Sequence, residues 1–424
     1  MVTTATPVTV LTDETGYNVR IGLYGLFGIG NIGNDATLEA MVHNLSARLP
    51  HAELVCVAHE PEVVAADFGL RSVYISMDPD QPGSSTRREG DMLPDAVRRI
   101  LTEPVRWWRT WRFLRTIDHL VMPGTGLLDD FGVHPLQHPY QLWKWCFLAK
   151  LTRTPVHFVA IGAGPIGHDL SRRFFTAAAT IASTRSFRDQ DSKDFVSNLG
   201  VDTGADPVVP DMVFSLPLHT GAVDPPRPGL VGPVGVGVIE YHSWRNRDGD
   251  EQDVYGPYLG KLGRFVVELL DRGHDIRILT GQDTDSRAVS DLTAIVERAR
   301  PADIGRVVAA PITSIHDLFA EISKTDAVVA TRFHNVLCSL ILGRPVVSVG
   351  YAAKNEELMR DFGLGEYCQN VWDFAVERLD EHFGKVTADP DAVRSAMLSQ
   401  AASHGATLAR HYDDLVSRFL RSPG

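Results

Sequence analysis

The sequence predicts an α/β protein with two doubly wound, Rossmann-like domains. Short apolar segments rich in β-branched residues alternate with longer segments of helical periodicity, which favours parallel sheets covered by helices. A chain of 424 residues is longer than a domain with a single hydrophobic core usually is. The prolines of 216–232 predict a linker, which separates an N-terminal domain over 1–215 from a C-terminal domain over 233–385. The helical segment 386–424 is expected to pack back on the first domain.

Composition and charge exclude several classes of protein. The chain is 44% apolar and 22% charged, and its net charge of -12 argues against general nucleic-acid binding. Its four scattered cysteines show neither zinc-site spacing nor a disulfide framework. Residues 1–16 lack the basic start and apolar centre of a signal peptide, and no apolar run reaches about 18 residues. We therefore predict a cytoplasmic protein without a metal site, and the oligomeric state stays open.

A glycine-rich loop follows the first predicted strand. Gly28, Gly30 and Gly33 have the spacing G-x-G-x-x-G ahead of a helix, where glycines let an anion approach the backbone amides. One interpretation is a dinucleotide site, with Glu60 after the second strand as its acidic residue. A tight strand-to-helix turn explains the same glycines equally well.

Two later strands of the first domain also end in distinctive residues. One runs into a loop that contains Gly124, Gly126 and Asp129, and another ends at Arg188 and Asp189. An arginine binds carboxylates and phosphates through paired N–H groups that lysine cannot imitate. The adjacent carboxylate can cap the next helix or orient the guanidinium.

A basic and aromatic helix is predicted over the segment that ends at Arg115. Trp107, Trp111 and Leu114 share one face, and arginines from Arg106 to Arg115 flank it. Such a helix can lie on an anionic membrane surface. The interpretation that the sequence favours is a helix that packs its tryptophans on the domain and leaves its arginines in solvent.

The second domain contains a strand, a charged turn, a buried helix and a second strand within residues 327–350. Arg332 and His334 follow the first of these strands, at the sheet edge where open α/β proteins bind ligands. On residue chemistry alone, an ion-paired arginine and a core histidine are the commoner interpretation. Gly281 follows another strand of the same domain.

The segment from Arg332 to Lys354 has a recognisable pattern. Arg332, Phe333 and His334 precede an apolar helix, a Gly-Arg-Pro turn, a buried strand, Tyr351 and Lys354. Together with the glycine loops and the Arg-Asp pair, this order resembles the polysaccharide pyruvyl transferase family, over about residues 21 to 364 with 77–118 and 240–256 outside the resemblance. That family usually has leucine where this chain has Phe333.

The resemblance implies a GT-B-like fold, in which two Rossmann-like domains face a cleft, and a ketal pyruvyl transfer. Such enzymes take phosphoenolpyruvate and bridge two hydroxyls of a sugar in a polysaccharide or glycoconjugate with a 1-carboxyethylidene group, releasing phosphate. The resemblance implies no cofactor beyond this donor substrate.

It also implies roles for individual residues. His334 would act as general acid and base, and Arg332 and Arg188 would bind the donor anions. Further donor contacts would come from Lys354, Asp189, Phe333 and Gly281. The acceptor would lie against the N-terminal domain, near Gly28, Gly30, Asn31, Gly33, Asp35, Gly124, Gly126 and Asp129.

Two other classes of enzyme stay open. A nucleotide-sugar glycosyltransferase would share the two-domain architecture, and a dinucleotide-dependent oxidoreductase would follow from the first glycine loop. If the acceptor is lipid-linked, the segment Arg106 to Arg115 would place the enzyme at the inner face of the membrane.

Overall fold

The structure is a computed structural model that describes residues 18–78, 95–124, 126–217, 232–241 and 254–421, with backbone alone over 95–100. Most of the predicted linker lies outside the described residues. Within them, the chain forms two parallel sheets with helices between successive strands, which is the predicted fold class.

The first sheet has the strand order β3-β2-β1-β4-β5-β6. The direction in which successive strands are added reverses between β1 and β4, so the carboxyl ends of these two strands form a topological switch point. Its strands are β1 (Arg20–Tyr24), β2 (Glu53–Ala58), β3 (Arg71–Tyr74), β4 (His119–Pro123), β5 (Val156–Ile161) and β6 (Thr184–Phe187). The connecting helices are α1 (Ile32–Arg48), α2 (Pro61–Phe68), α3 (Asp95–Leu114), α4 (His138–Thr152), α5 (Asp169–Ile181) and α6 (Gln190–Asn198).

The second sheet has the order β12-β11-β10-β7-β8-β9, with its switch between β10 and β7. Its strands are β7 (Val234–Gly237), β8 (Ile276–Leu279), β9 (Val307–Val308), β10 (Ala327–Ala330), β11 (Val346–Gly350) and β12 (Cys368–Asn370). The helices are α7 (Tyr255–Asp271), α8 (Ser286–Ala299), α9 (Ile315–Ser323), α10 (Phe333–Leu342), α11 (Ala353–Asp361), α12 (Val376–Val386) and α13 (Pro390–Arg421).

Backbone contacts divide the chain into two compact units. Of the described residues, the first unit contains 18–29, 37–216 and 406–421, and the second contains Gly30–Ala36 and those from 217 to 405. The end of α13 contacts the first unit, because Arg48 pairs with Asp413 at 2.7 Å and the Phe419 carbonyl lies 3.3 Å from His119 Nε2. The start of α1, by contrast, groups with the second unit.

Two helices begin at the residues of the glycine loop and of the Arg332–His334 turn. The Asn31 side chain accepts from the Gly33 amide at 3.1 Å and caps α1, which starts at Ile32. Arg332 keeps an extended backbone, and α10 starts at Phe333 without a side-chain cap.

The side of α3 that contains Trp107 and Leu114 packs on its own domain, as the sequence predicted. Trp107 donates to the Tyr140 hydroxyl at 2.8 Å and makes an edge contact with Phe147, while Leu114 is fully buried. The prediction that the arginines lie in solvent is wrong for Arg106, which binds Asp78 and Glu103 in a half-buried ion-pair network. Among the described helices, none combines the length and apolar character needed to cross a membrane.

Candidate active site

One buried carboxylate connects three strand ends of the second sheet. Asp285 is fully buried and accepts from the backbone amides of Gly281, Gln282 and Glu240 at 3.0, 3.1 and 3.2 Å. It also binds Arg332, whose Nε lies 2.9 Å away and whose Nη2 makes a second, close contact. A buried carboxylate is stable only with donors of this kind, so Asp285 fixes the edge of the sheet.

Arg332 is therefore already part of an ion pair within the site. The Nε and Nη2 edge of its guanidinium is occupied by Asp285, and its aliphatic stem lies against Gly281, where a Cβ would sit 3.3 Å from Cγ. The edge that carries Nη1 takes no part in that pair. This second edge is the part of the guanidinium that Asp285 leaves open.

The turn before Arg332 is supported by hydrogen bonds from two helices. Asn355 of α11 donates to the Thr331 carbonyl at 3.2 Å, and the Tyr258 hydroxyl of α7 lies 3.0 Å from Thr331 Oγ1. Burial raises the pKa of Tyr258 to about 12, so it stays a neutral hydroxyl. These contacts hold Arg332 and His334 in place at the end of β10.

The residues Gly30–Gly33 pair with the loop after β8. Asn31 forms an antiparallel bridge with Gln282, and the Asp283 amide donates to the Gly30 carbonyl at 3.2 Å. A Cβ on Gly30 would lie 2.5 Å from the Asp283 carboxylate. A Cβ on Gly33 would lie 2.0 Å from His334 Cε1, so the imidazole packs directly on the Gly33 backbone. These glycines make room for protein side chains.

Lys354 lies among aromatic rings. Its Nζ is 5.6 Å from the centre of the Phe333 ring and 5.1 Å from that of Tyr351. Tyr351 in turn lies 5.5 Å from Tyr241, which contacts Trp372 edge-on. No carboxylate among the described residues pairs with Lys354. Within the described part of the chain, the Lys354 charge is offset by ring faces alone.

Arg188 belongs to the first unit and lies beside the carboxylates of Asp189 and Asp211. Its Nε lies 3.3 Å from Asp189 and its Nη1 lies 3.7 Å from Asp211. Asp189 also caps α6, since it accepts from the Ser192 amide at 2.7 Å. Both uses that the sequence suggested for this carboxylate, capping and orientation, occur together.

The other glycines of the first unit allow close backbone approaches. A Cβ on Gly124 would lie 1.7 Å from the Ala160 carbonyl oxygen, and one on Gly28 would lie 2.7 Å from the Glu60 carbonyl oxygen. A Cβ on Gly126 would lie 2.3 Å from the Asp129 carboxylate. Each of these glycines has a packing explanation that needs no substrate.

The structure brings together residues that the sequence assigned to opposite substrates. Gly30, Asn31, Gly33 and Asp35 were expected on the acceptor side, but they group with the unit that contains the predicted donor residues. The physical reason is the backbone pairing of Asn31 with Gln282. Arg188, Asp189, Gly28, Gly124, Gly126 and Asp129 belong to the first unit.

Sequence reasoning gave no role in the site to Asp285, or to Tyr241 and Trp372, which continue the aromatic group beyond Tyr351. A usable signal for Asp285 was an acid in the first turn after a strand that ends in glycine. Tyr241 and Trp372 each follow a strand of the same sheet, which was their signal. Among the described residues, no group of three or more histidine, cysteine or acidic side chains could hold a metal ion.

Solved structures of low sequence identity share this fold. A putative UDP-N-acetylglucosamine 2-epimerase from Listeria monocytogenes is 12% identical, with a TM-score of 0.61 over 96% of this chain and 98% of that one. The glycosyltransferase SnogD from Streptomyces nogalater is 15% identical, with a TM-score of 0.53 over 95% of this chain and 100% of that one. By fold, this chain is therefore a GT-B-type protein with two Rossmann-like domains.

The family is established by sequence. The model of the polysaccharide pyruvyl transferase family matches residues 31–352, and the chain belongs to that family. The amylovoran biosynthesis protein AmsJ of Erwinia amylovora is 20% identical over 386 residues, which cover 83% of this chain and 88% of AmsJ. The family predicted from the motifs is confirmed, and membership makes the chain a transferase of the pyruvyl transferase type with a sugar acceptor.

Proposed function

We propose that this enzyme transfers a 1-carboxyethylidene group from phosphoenolpyruvate to two hydroxyls of one sugar in a polysaccharide or glycoconjugate. The observation that carries the proposal is the charged turn after β10, where Arg332 and His334 follow one strand and Lys354 lies over Phe333. The donor has a phosphate and a carboxylate, and a cation without a carboxylate partner suits either group. No cofactor is needed in this scheme.

The chemistry gives His334 a proton-transfer role. The first hydroxyl adds to C2 of the enol phosphate while C3 gains a proton, so the methylene becomes a methyl group. Phosphate then leaves with the C2–O bond electrons and the second hydroxyl adds to C2, its proton going to phosphate. A histidine at the end of β10 can accept a hydroxyl proton and supply one to C3 near neutral pH.

The cations have separate tasks in this proposal. Arg332 would bind one donor anion through the guanidinium edge that Asp285 leaves open, and Lys354 would bind the other. Both would stabilise charge on the departing phosphate. Arg188 and the residues of the first unit would contact the donor carboxylate or the acceptor sugar.

Donor binding by Lys354 is tested by a thermal-shift titration with phosphoenolpyruvate. A ligand that binds only the native state raises the unfolding temperature, and Lys354→Met should weaken the affinity by about tenfold or more through loss of a charge-assisted contact. Lys261→Met is the matched control, because Lys261 also lies over a ring, Phe374, at 5.2 Å. UDP- and GDP-sugars and NAD are titrated beside the donor. A shift with a sugar nucleotide alone would overturn the proposal.

Turnover is tested separately with His334→Gln. We expect the variant to bind phosphoenolpyruvate with nearly unchanged affinity and to lose about 10² to 10⁴ in rate. The readout is ketal formation by mass spectrometry on a panel of p-nitrophenyl glycosides, with phosphate release measured in parallel. Equal loss of binding and turnover would mean that His334 only shapes the pocket.

A further inference from the structure

The outer side of α3 has a continuous stripe of exposed apolar residues that leads into arginines. Leu101, Val105 and Trp108 are 63, 43 and 53% exposed, and Arg112 and Arg115 follow at the same helical spacing. Arg112 stacks on Trp108 at 5.4 Å, and Arg115 stacks on Trp111 at 4.9 Å. The helix therefore has two apolar sides, one packed on the domain and one open.

The charges of α3 are sorted between these two sides. Glu103 turns inward, where it accepts from Lys144 and Tyr140 at 3.3 and 2.8 Å and pairs with Arg106. The negative charge of Glu103 is therefore neutralised on the side of α3 that packs on the domain. Arg109, Arg112 and Arg115 have no carboxylate partner among the described residues. The open side is consequently basic in a chain whose net charge is -12.

We propose that this side of α3, defined by Leu101, Val105, Trp108, Arg112 and Arg115, docks on an anionic phospholipid surface. Tryptophan and leucine enter the boundary between headgroups and acyl chains, and arginines pair with lipid phosphates. Because the rest of the chain is acidic, an anionic bilayer attracts this patch and repels most other faces, which fixes the orientation. A second copy of the chain fits less well, because a symmetric contact would oppose arginine to arginine.

The experiment is co-sedimentation of the full chain with vesicles of equal parts phosphatidylcholine and phosphatidylglycerol, at low and high salt. Binding is expected to these vesicles, to fall with salt, and to be absent with phosphatidylcholine alone. The double variant Arg112→Glu/Arg115→Glu should lower the partition coefficient by about thirtyfold or more, since each arginine near an anionic surface contributes about fivefold. Trp108→Ser should lower it several-fold while leaving the salt dependence unchanged.

The matched control is Arg172→Glu/Arg173→Glu, which makes the same charge change on α5, where both residues are exposed. It should bind vesicles like the parent protein. Circular dichroism and the phosphoenolpyruvate thermal shift show whether each variant is folded. Equal loss of binding in both double variants would mean non-specific attraction and would overturn the proposal. A concentration-dependent dimer that Trp108→Ser abolishes, without vesicle binding, would assign the patch to self-association instead.

Discussion

Arg188 follows an edge strand of its sheet and Arg332 follows a central one, and the two arginines are held in different ways. Each follows the carboxyl end of a parallel strand and precedes a helix. Arg188 shares two carboxylates, of which Asp189 is its neighbour in sequence. Arg332 depends on one carboxylate, Asp285, which is fully buried.

The difference teaches how each arginine is positioned. Asp189 acts locally, because one oxygen caps α6 and the other contacts Arg188. Asp285 acts across the sheet, since it also binds amides after β7 and β8. Loss of Asp285 therefore removes an organising centre, whereas loss of Asp189 leaves Asp211 beside Arg188.

The largest expected effect comes from Asp285→Asn. The amide keeps the shape but leaves the Arg332 charge without a partner and presents N–H groups to backbone donors, so the free energy of unfolding should fall by about 3–5 kcal/mol. The measurement is urea unfolding combined with hydrogen exchange of the second unit. Asp283→Asn is the control, because Asp283 is exposed in the same loop. Equal effects of the two substitutions would contradict the role of Asp285.

This asymmetry marks how far the sequence alone predicts the site. The order of strands and helices, the Arg332–His334 turn and the capping role of Asp189 follow from local patterns. Asp285 lies 47 positions from Arg332, and nothing in a single sequence states which distant acid will meet a given arginine. The fold class needs only periodicity, while long-range ion pairs need the tertiary structure.

The glycine loops show the same limit. Their spacing is visible in the sequence, but the group that fills the space beside each glycine is not. Gly33 makes room for His334 and Gly124 makes room for the Ala160 backbone, so identical residue types have unrelated neighbours. For this reason the sequence does not reveal the pairing of Asn31 with Gln282, which groups Gly30–Gly33 with the second unit.

Mild acid should destabilise the first unit before the second. His119 and His157 lie 3.1 Å apart in the first unit, and burial lowers the pKa of His157 from 6.5 to about 3 and that of His119 in the same direction. The folded state keeps both rings neutral, while the unfolded state binds protons below about 6.5. Their contribution is complete above that pH and is lost as the pH falls towards 3.

Hydrogen exchange of the full chain between pH 7 and 4.5 tests this expectation, after correction for the intrinsic exchange rate. Amides of β4, β5 and the end of α13 should lose protection before those of β10 and β11. His157→Gln removes one titrating ring and should flatten the pH dependence of the first unit. Loss of protection at the same pH in both units would show that carboxylates, rather than this pair, control acid stability.

The smallest loss of stability is expected beside Arg188. Asp189→Ala removes the cap of α6, which accepts from Ser192, and should cost about 1 kcal/mol. Asp189→Asn keeps the cap and should cost less, because Asp211 still neighbours Arg188. Urea unfolding of both variants beside Asp285→Asn measures the contrast. If Asp189→Ala destabilises as much as Asp285→Asn, then Arg188 rests on one partner as Arg332 does, and the two strand ends are built alike.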